Sequence, residues 1–154
     1  NYSKKFPKVL EGEVLQNTNG FESIINMCAK VLGINSSKEF EDMALNTSMT
    51  SGIQIDMKLV NLDGINYLDY RKVVQSIMAY KMADVDNITL IYSFYESLSE
   101  FICNYVNEIA KEINAKDIVL CGNMFANSIL FTKTNKTLIK TYNIILPKEY
   151  PLDY

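Results

Sequence analysis

An α/β fold, rich in helix and holding a small, partly parallel sheet, is predicted by three features of the sequence. Apolar residues recur at helical spacing through three long stretches, which begin near Phe21, Asn66 and Asp84. A short aliphatic run, Ile118-Val119-Leu120, is broken by Gly122-Asn123 and followed from Met124 by renewed helical spacing. A last apolar run, Tyr142 to Leu146, comes after that helix. Strand, helix, strand in this order implies a right-handed crossover between parallel strands. Two strands make a weak sheet, so early strands or another polypeptide segment are expected to complete it.

Taken in order, Asn1 to Gln16 is a lead-in whose Glu11 to Gln16 alternates weakly, as a short strand would. Thr18 or Asn19 is placed to cap a helix with Phe21, Ile24, Ile25, Cys28, Val31 and Leu32 on one face, and Gly33 to end it. Ser36 or Ser37 can cap a shorter helix carrying Phe40, Met43 and Ala44, with Glu39 and Glu41 in its first turns, where the helix dipole favours negative charge. Thr47 to Gly52 is a loop. Ile53, Ile55, Met57 and Leu59 alternate with polar residues and predict a half-buried strand. Asp63-Gly64 turns the chain into a helix from Asn66 to about Met82. Asp84-Val85-Asp86 opens the longest helix, whose wide apolar stripe from Ile88 to Ile109 requires burial on more than one side.

The chain of 154 residues, 48% of them hydrophobic, is long enough for one substantial core, and a second full domain would be cramped. A single domain, or a carboxyl-terminal segment of a larger one, is expected. The formal charge is −3 and Arg71 is the only arginine, which argues against a nucleic-acid partner. The absence of histidine excludes histidine triads, bases and metal ligands within this chain. No apolar run approaches the roughly 18 to 20 residues that span a bilayer, so a soluble, cytoplasmic chain is expected. Cys28, Cys103 and Cys121 are widely spaced and fall on apolar stripes or a strand, which predicts three small buried residues rather than disulfides, a zinc site or a nucleophile. The Asn-x-Ser/Thr triplets at Asn35, Asn46, Asn87 and Asn135 reflect an asparagine-rich composition.

Pattern, turn chemistry and ligand-binding capacity coincide in Asp117 to Asn127. A helix that follows the carboxyl end of a buried strand presents unpaired backbone N–H groups, which suit a phosphate or nucleotide.

Four segments of the chain, in order, resemble the last part of the hydrogenase-maturation carbamoyltransferases of the HypF type. Gly20-Phe-Glu-Ser-Ile-Ile-Asn-Met-Cys-Ala-Lys-Val-Leu-Gly-Ile34 is similar to that family's helix Phe-Asp-Ala-Val-Ala-x-Leu-Leu-Gly. Lys38-Glu-Phe-Glu-Asp-Met-Ala-Leu45 resembles Ala-Ala-Met-Glu-Leu-Glu-Ala-Leu, and Phe94-Tyr-Glu-Ser-Leu98 resembles Phe-His-x-x-Leu. The most specific match is Ile118-Val-Leu-Cys-Gly-Asn-Met-Phe-Ala-Asn127, which resembles Val-x-Leu-Ser-Gly-Gly-Val-Phe-x-Asn. The helix and strand that follow it, and then Pro151-Leu-Asp153, have that family's spacing to a Pro-x-x-Asp-Gly-Gly element.

This resemblance implies the second half of an actin-like ATPase fold. It puts Gly122 and Asn127 beside ATP or carbamoyl-adenylate, Glu41 near the ribose hydroxyls, and Asp153 on a divalent metal. It also implies two partners, the remaining half of the carbamoyltransferase and a maturation protein whose cysteine receives the carbamoyl group. The isolated chain is then expected to be inactive. The sequence departs from the family pattern at Asn123 and Ser36, which stand where glycines are usual, at Glu22 for aspartate, at Tyr95 for histidine, and at Tyr154 for the first of the final glycines. The metal-binding histidine pair has no counterpart. A catalytically inactive homologue serving as a protein-interaction module is the alternative these departures raise.

Overall fold

The computed structural model describes residues 20 to 147. The lead-in strand expected before Gln16 and the segment around Asp153 lie outside these residues. The described chain runs α1 (Phe21–Leu32), α2 (Ser37–Leu45), β1 (Leu59–Leu62), β2 (Ile65–Leu68), α3 (Tyr70–Met82), α4 (Asn87–Ile113), β3 (Asp117–Val119), a 3-10 turn (Asn123–Ala126), α5 (Ser128–Leu138) and β4 (Asn143–Ile145). It is an α/β fold, rich in helix, with two small sheets. It divides into two compact units, one ending at Phe94 and the other starting at Tyr95, within α4.

In the first unit, α1 buries Ile24, Ile25, Cys28, Val31 and Leu32 as its spacing predicts, together with Met27 and Ala29, but leaves Phe21, expected on the same face, exposed in the first turn. It begins behind Gly20, which offers no side-chain cap; Thr18 and Asn19 lie outside the described residues. Its other end is a Schellman motif, in which Gly33 at φ 72° donates to Lys30 O and Ile34 N donates to Ala29 O. Ser36 caps α2 by accepting from Glu39 N at 3.1 Å, and Glu39 reaches back to accept from the backbone and side chain of Asn35. Helix α1 packs against α2 and α3. Phe40 of α2 meets Phe94 edge to face, 5.7 Å between ring centroids.

The stretch from Ile53 to Lys58, expected as a strand, joins no sheet among the described residues. Of the apolar positions expected to face inward, Ile55 is completely buried, Ile53 and Met57 are half-buried, and Leu59 is exposed. Helix side chains take up its backbone groups instead: Ile53 N donates to Ser93 Oγ, Asp56 N to Ser76 Oγ, and Tyr80 Oη–H donates to Gln54 O. Strand pairing starts only at Leu59. There β1 and β2 form an antiparallel hairpin with Leu59 opposite Leu68 and Leu62 opposite Ile65. Asp63 and Gly64 both take positive φ, 52° and 82°, as a two-residue type I′ turn requires. Asn66 and Tyr67, expected in a helix, therefore belong to β2. The helix waits for Asp69, which caps it by accepting from Arg71 N.

Helix α4 spans 27 residues, opened by Asp86, whose carboxylate accepts from the N–H and hydroxyl of Thr89. Residues Leu90 to Ser99 are buried except Glu96, and the run includes Ser93, Ser97 and Ser99. In the second unit, Cys103, Ala110, Leu120, Leu138 and Tyr142 form a core, joined by Val106, Ile118, Phe125, Phe131 and Ile144. Strands β3 and β4 pair in parallel, Asp117 opposite Asn143 and Val119 opposite Ile145, as the strand, helix, strand order predicts. Thr134 Oγ donates to Ser99 Oγ inside this unit, and Lys133 pairs with Glu96.

Gly52 passes so close to α4 that a Cβ there would collide with Ser93 Oγ and press on its Cα. Gly52→Ala is expected to lower stability by about 1 to 3 kcal/mol through overpacking, read as a lower urea midpoint with an unchanged m-value.

Candidate functional site: the turn between β3 and α5

Strand β3 ends at Val119, Leu120 N extends the ladder by donating to Ile145 O at 3.1 Å, and Cys121 leaves the sheet exposed. Gly122 then takes φ 106°, ψ 151°, a backbone conformation that side chains disfavour. Its carbonyl accepts from Phe125 N at 3.0 Å, which winds Asn123–Ala126 into a single 3-10 turn. At Asn127 the chain is extended again, with φ −70° and ψ 118°. From there α5 begins.

The helix expected from Met124 thus starts four residues later, at Ser128. Asn127 is its N-cap: Oδ1 accepts from both Ile129 N and Leu130 N at 3.1 Å. This corrects the expected source of ligand contacts. Two of the first amides of α5, which would have faced an anion, are satisfied by the asparagine. Asn127 is only 7% exposed, and its Nδ2 is buried with no hydrogen-bond partner among the described residues. An unmatched buried donor costs about 1 to 3 kcal/mol. The carboxamide is therefore divided, its oxygen holding the helix and its nitrogen left over. An acceptor atom of a nucleotide suits that nitrogen, and Gly122 suits a close backbone approach.

Glu41 lies in the first unit, half-buried on α2 between the fully buried Phe40 and Asp42. Burial first, then the charges of Asp42 and Glu22, push its carboxyl above the usual carboxylate range. Asp153 lies outside the described residues. Among the described residues no three aspartate, glutamate or cysteine side chains gather to hold a metal. No helix among them is long and apolar enough to cross a membrane.

Two of the three cysteines are buried as expected. Burial pushes the Cys28 thiol up to about 12 and raises that of Cys103, which donates weakly to Thr134 O. Cys121 is the exception, because the strand stops two residues before it.

Two outcomes follow for these groups. An acid whose pKa is raised by folding loses stability as pH rises through its unfolded value, so Glu41→Gln is expected to raise the thermal midpoint at pH 7. That gain should fade below about pH 4.3, where the unfolded carboxyl is already protonated. Iodoacetamide should add one carbamidomethyl group to the native chain, on Cys121, and three after denaturation, as read by intact mass.

The family model for the second subdomain of the Kae1-like domain of carbamoyltransferases matches residues 18–153. Protein HydE of Wolinella succinogenes is 28% identical over 87 residues, 56% of this chain and 16% of that protein. Full-length HypF, solved in a phosphate- and nucleotide-bound form, superposes with a TM-score of 0.75 at 16% identity over 87% of this chain and 18% of its own. HypF of T. kodakarensis gives 0.69 at 15% identity over 86% of this chain and 18% of its own. This chain spans 16% of the length of the curated relative and 18% of each solved one. The fold is that of these HypF structures, and the chain belongs to the carbamoyltransferase Kae1-like family as its second subdomain.

Proposed function

We propose that this chain is the carboxyl-terminal segment of an ATP-dependent carbamoyltransferase domain of nickel–iron hydrogenase maturation, where it helps hold carbamoyl-adenylate. In that reaction the carbamoyl carbon leaves the adenylate phosphate oxygen and bonds to a partner-protein cysteine sulfur. AMP departs and the thiol proton is released. This chain supplies no histidine base for the step, and its share is binding and orientation. The remaining half of the domain and the cysteine-bearing maturation protein are its partners, and a free thiol acceptor fits a reducing, cytoplasmic setting.

The observation that carries this reading is the β3 to α5 turn. Gly122 holds a conformation suited to a bare backbone, and Asn127 keeps one buried donor unmatched. The nucleotide reported with full-length HypF supports an adenylate as the ligand.

ATP titration by calorimetry tests the proposal. The isolated chain should show no binding up to millimolar ATP, and binding should appear once the missing half of the domain is added. Millimolar or tighter binding by the isolated chain that survives Asn127→Ala would place the site elsewhere. Absence of binding in the assembled domain would favour a protein-interaction module.

A further inference from the structure

We infer that the outer edge of β1 is a homotypic interface, at which two copies of this chain pair β1 with β1 antiparallel and join their hairpins into one sheet. The backbone register sets this up. Asp69 N donates to Lys58 O at 2.7 Å, which makes Lys58 and Asp69 a hydrogen-bonded pair. Such pairs alternate with open ones along an antiparallel ladder. Val60 and Leu62 therefore bond to Tyr67 and Ile65, while Leu59 and Asn61 direct their N–H and C=O groups away from β2. No strand among the described residues takes up that edge. The two strands, Leu59–Leu62 and Ile65–Leu68, carry neither the charges nor the prolines that ordinarily keep an exposed edge from pairing. Cross-strand partners share a face, so Val60, Leu62, Ile65 and Tyr67 form an apolar one, with Leu62 53% and Ile65 57% exposed. Two strands alone make a marginal sheet, and joining a second hairpin remedies that.

A second copy fits this edge because β1 is complementary to itself. Pairing requires outward-facing residues to meet, and a dyad at Val60 achieves it by setting Leu59 against Asn61 of the second copy on both sides. Val60 then meets Val60 in the close, non-hydrogen-bonded position, where β-branched pairs pack well. Lys58 falls opposite Leu62 of the second copy and beside its Asp63, so the basic residue just before β1 meets the acidic residue at the tip. Its partner within the chain, Asp56 at 3.7 Å, holds it only weakly, since both side chains are exposed. From Asp56 to Gly64 no like charges meet in this register. The strand is four residues long, roughly 14 Å, and buries less than the ~1,200 Å² of a stable dimer. Association is accordingly weak and reversible.

Sedimentation velocity of the full chain from micromolar to millimolar concentration tests this, with amide hydrogen exchange read at both ends of the series. The weight-average mass is expected to rise with concentration, and the Leu59 and Asn61 amides to gain protection at the upper end. Val60→Lys sets two ammonium groups face to face across the dyad and should keep the chain monomeric, as Val60→Glu should with two carboxylates. Mixed in equal amounts, the two variants should associate again, a rescue that misfolded chains could not give. Leu59→Pro removes an outward N–H and spares the hairpin's own ladder, so it should abolish association with the helical circular dichroism unchanged. A wild-type chain that stays monomeric to millimolar concentration overturns the inference. So does association that leaves the Leu59 and Asn61 amides unprotected, Val60→Lys associating as the wild type does, or a mixture of the two charged variants that stays monomeric.

Discussion

The burial of the middle of α4 is the constraint on which most of this structure depends. From Leu90 to Ser99 every residue but Glu96 is withdrawn from water, and three of them are serines. Small hydroxyl side chains there do two things that leucine could not. They let neighbouring backbone come close, as Gly52 does at Ser93, and they answer polar groups that would otherwise be orphaned. Ser93 takes the N–H of Ile53 in the first unit, and Ser99 takes the hydroxyl of Thr134 in the second. A helix of 27 residues thus serves both units with the same device.

What was legible in the sequence was whatever local chemistry decides. The helical faces of α1 and α2, the glycine stop at Gly33, the Asp63-Gly64 reversal and the parallel pairing of β3 with β4 all follow from spacing and turn residues. What was not legible were the partners of extended backbone. The alternation from Ile53 to Leu59 is written in the chain, yet nothing local says that serines and a tyrosine on helices, rather than a neighbouring strand, will receive its hydrogen bonds. Asn66 and Tyr67 read as helix for a related reason, since apolar spacing runs on through a hairpin strand into α3. The cap at Asp69 is the local signal that separates the two.

The candidate site divides along the same line. The turn at Gly122 was legible because it is set by backbone conformation. The capping contact of Asn127 was not legible: apolar spacing from Met124 conceals a break that a strong capping residue followed by Ser128 signals. Cys121 was assigned to the interior because the aliphatic run leads directly into it, whereas the pairing with β4 ends one residue earlier, at Leu120.

The unequal burial of the cysteines has a practical meaning. Cys28 and Cys103 are closed off by packing and Cys121 is open, one residue from Gly122. The chain therefore carries a built-in attachment point for an environment-sensitive dye, next to the turn and with no engineered thiol. Motion or occupancy at the turn becomes an optical signal, available in the native sequence.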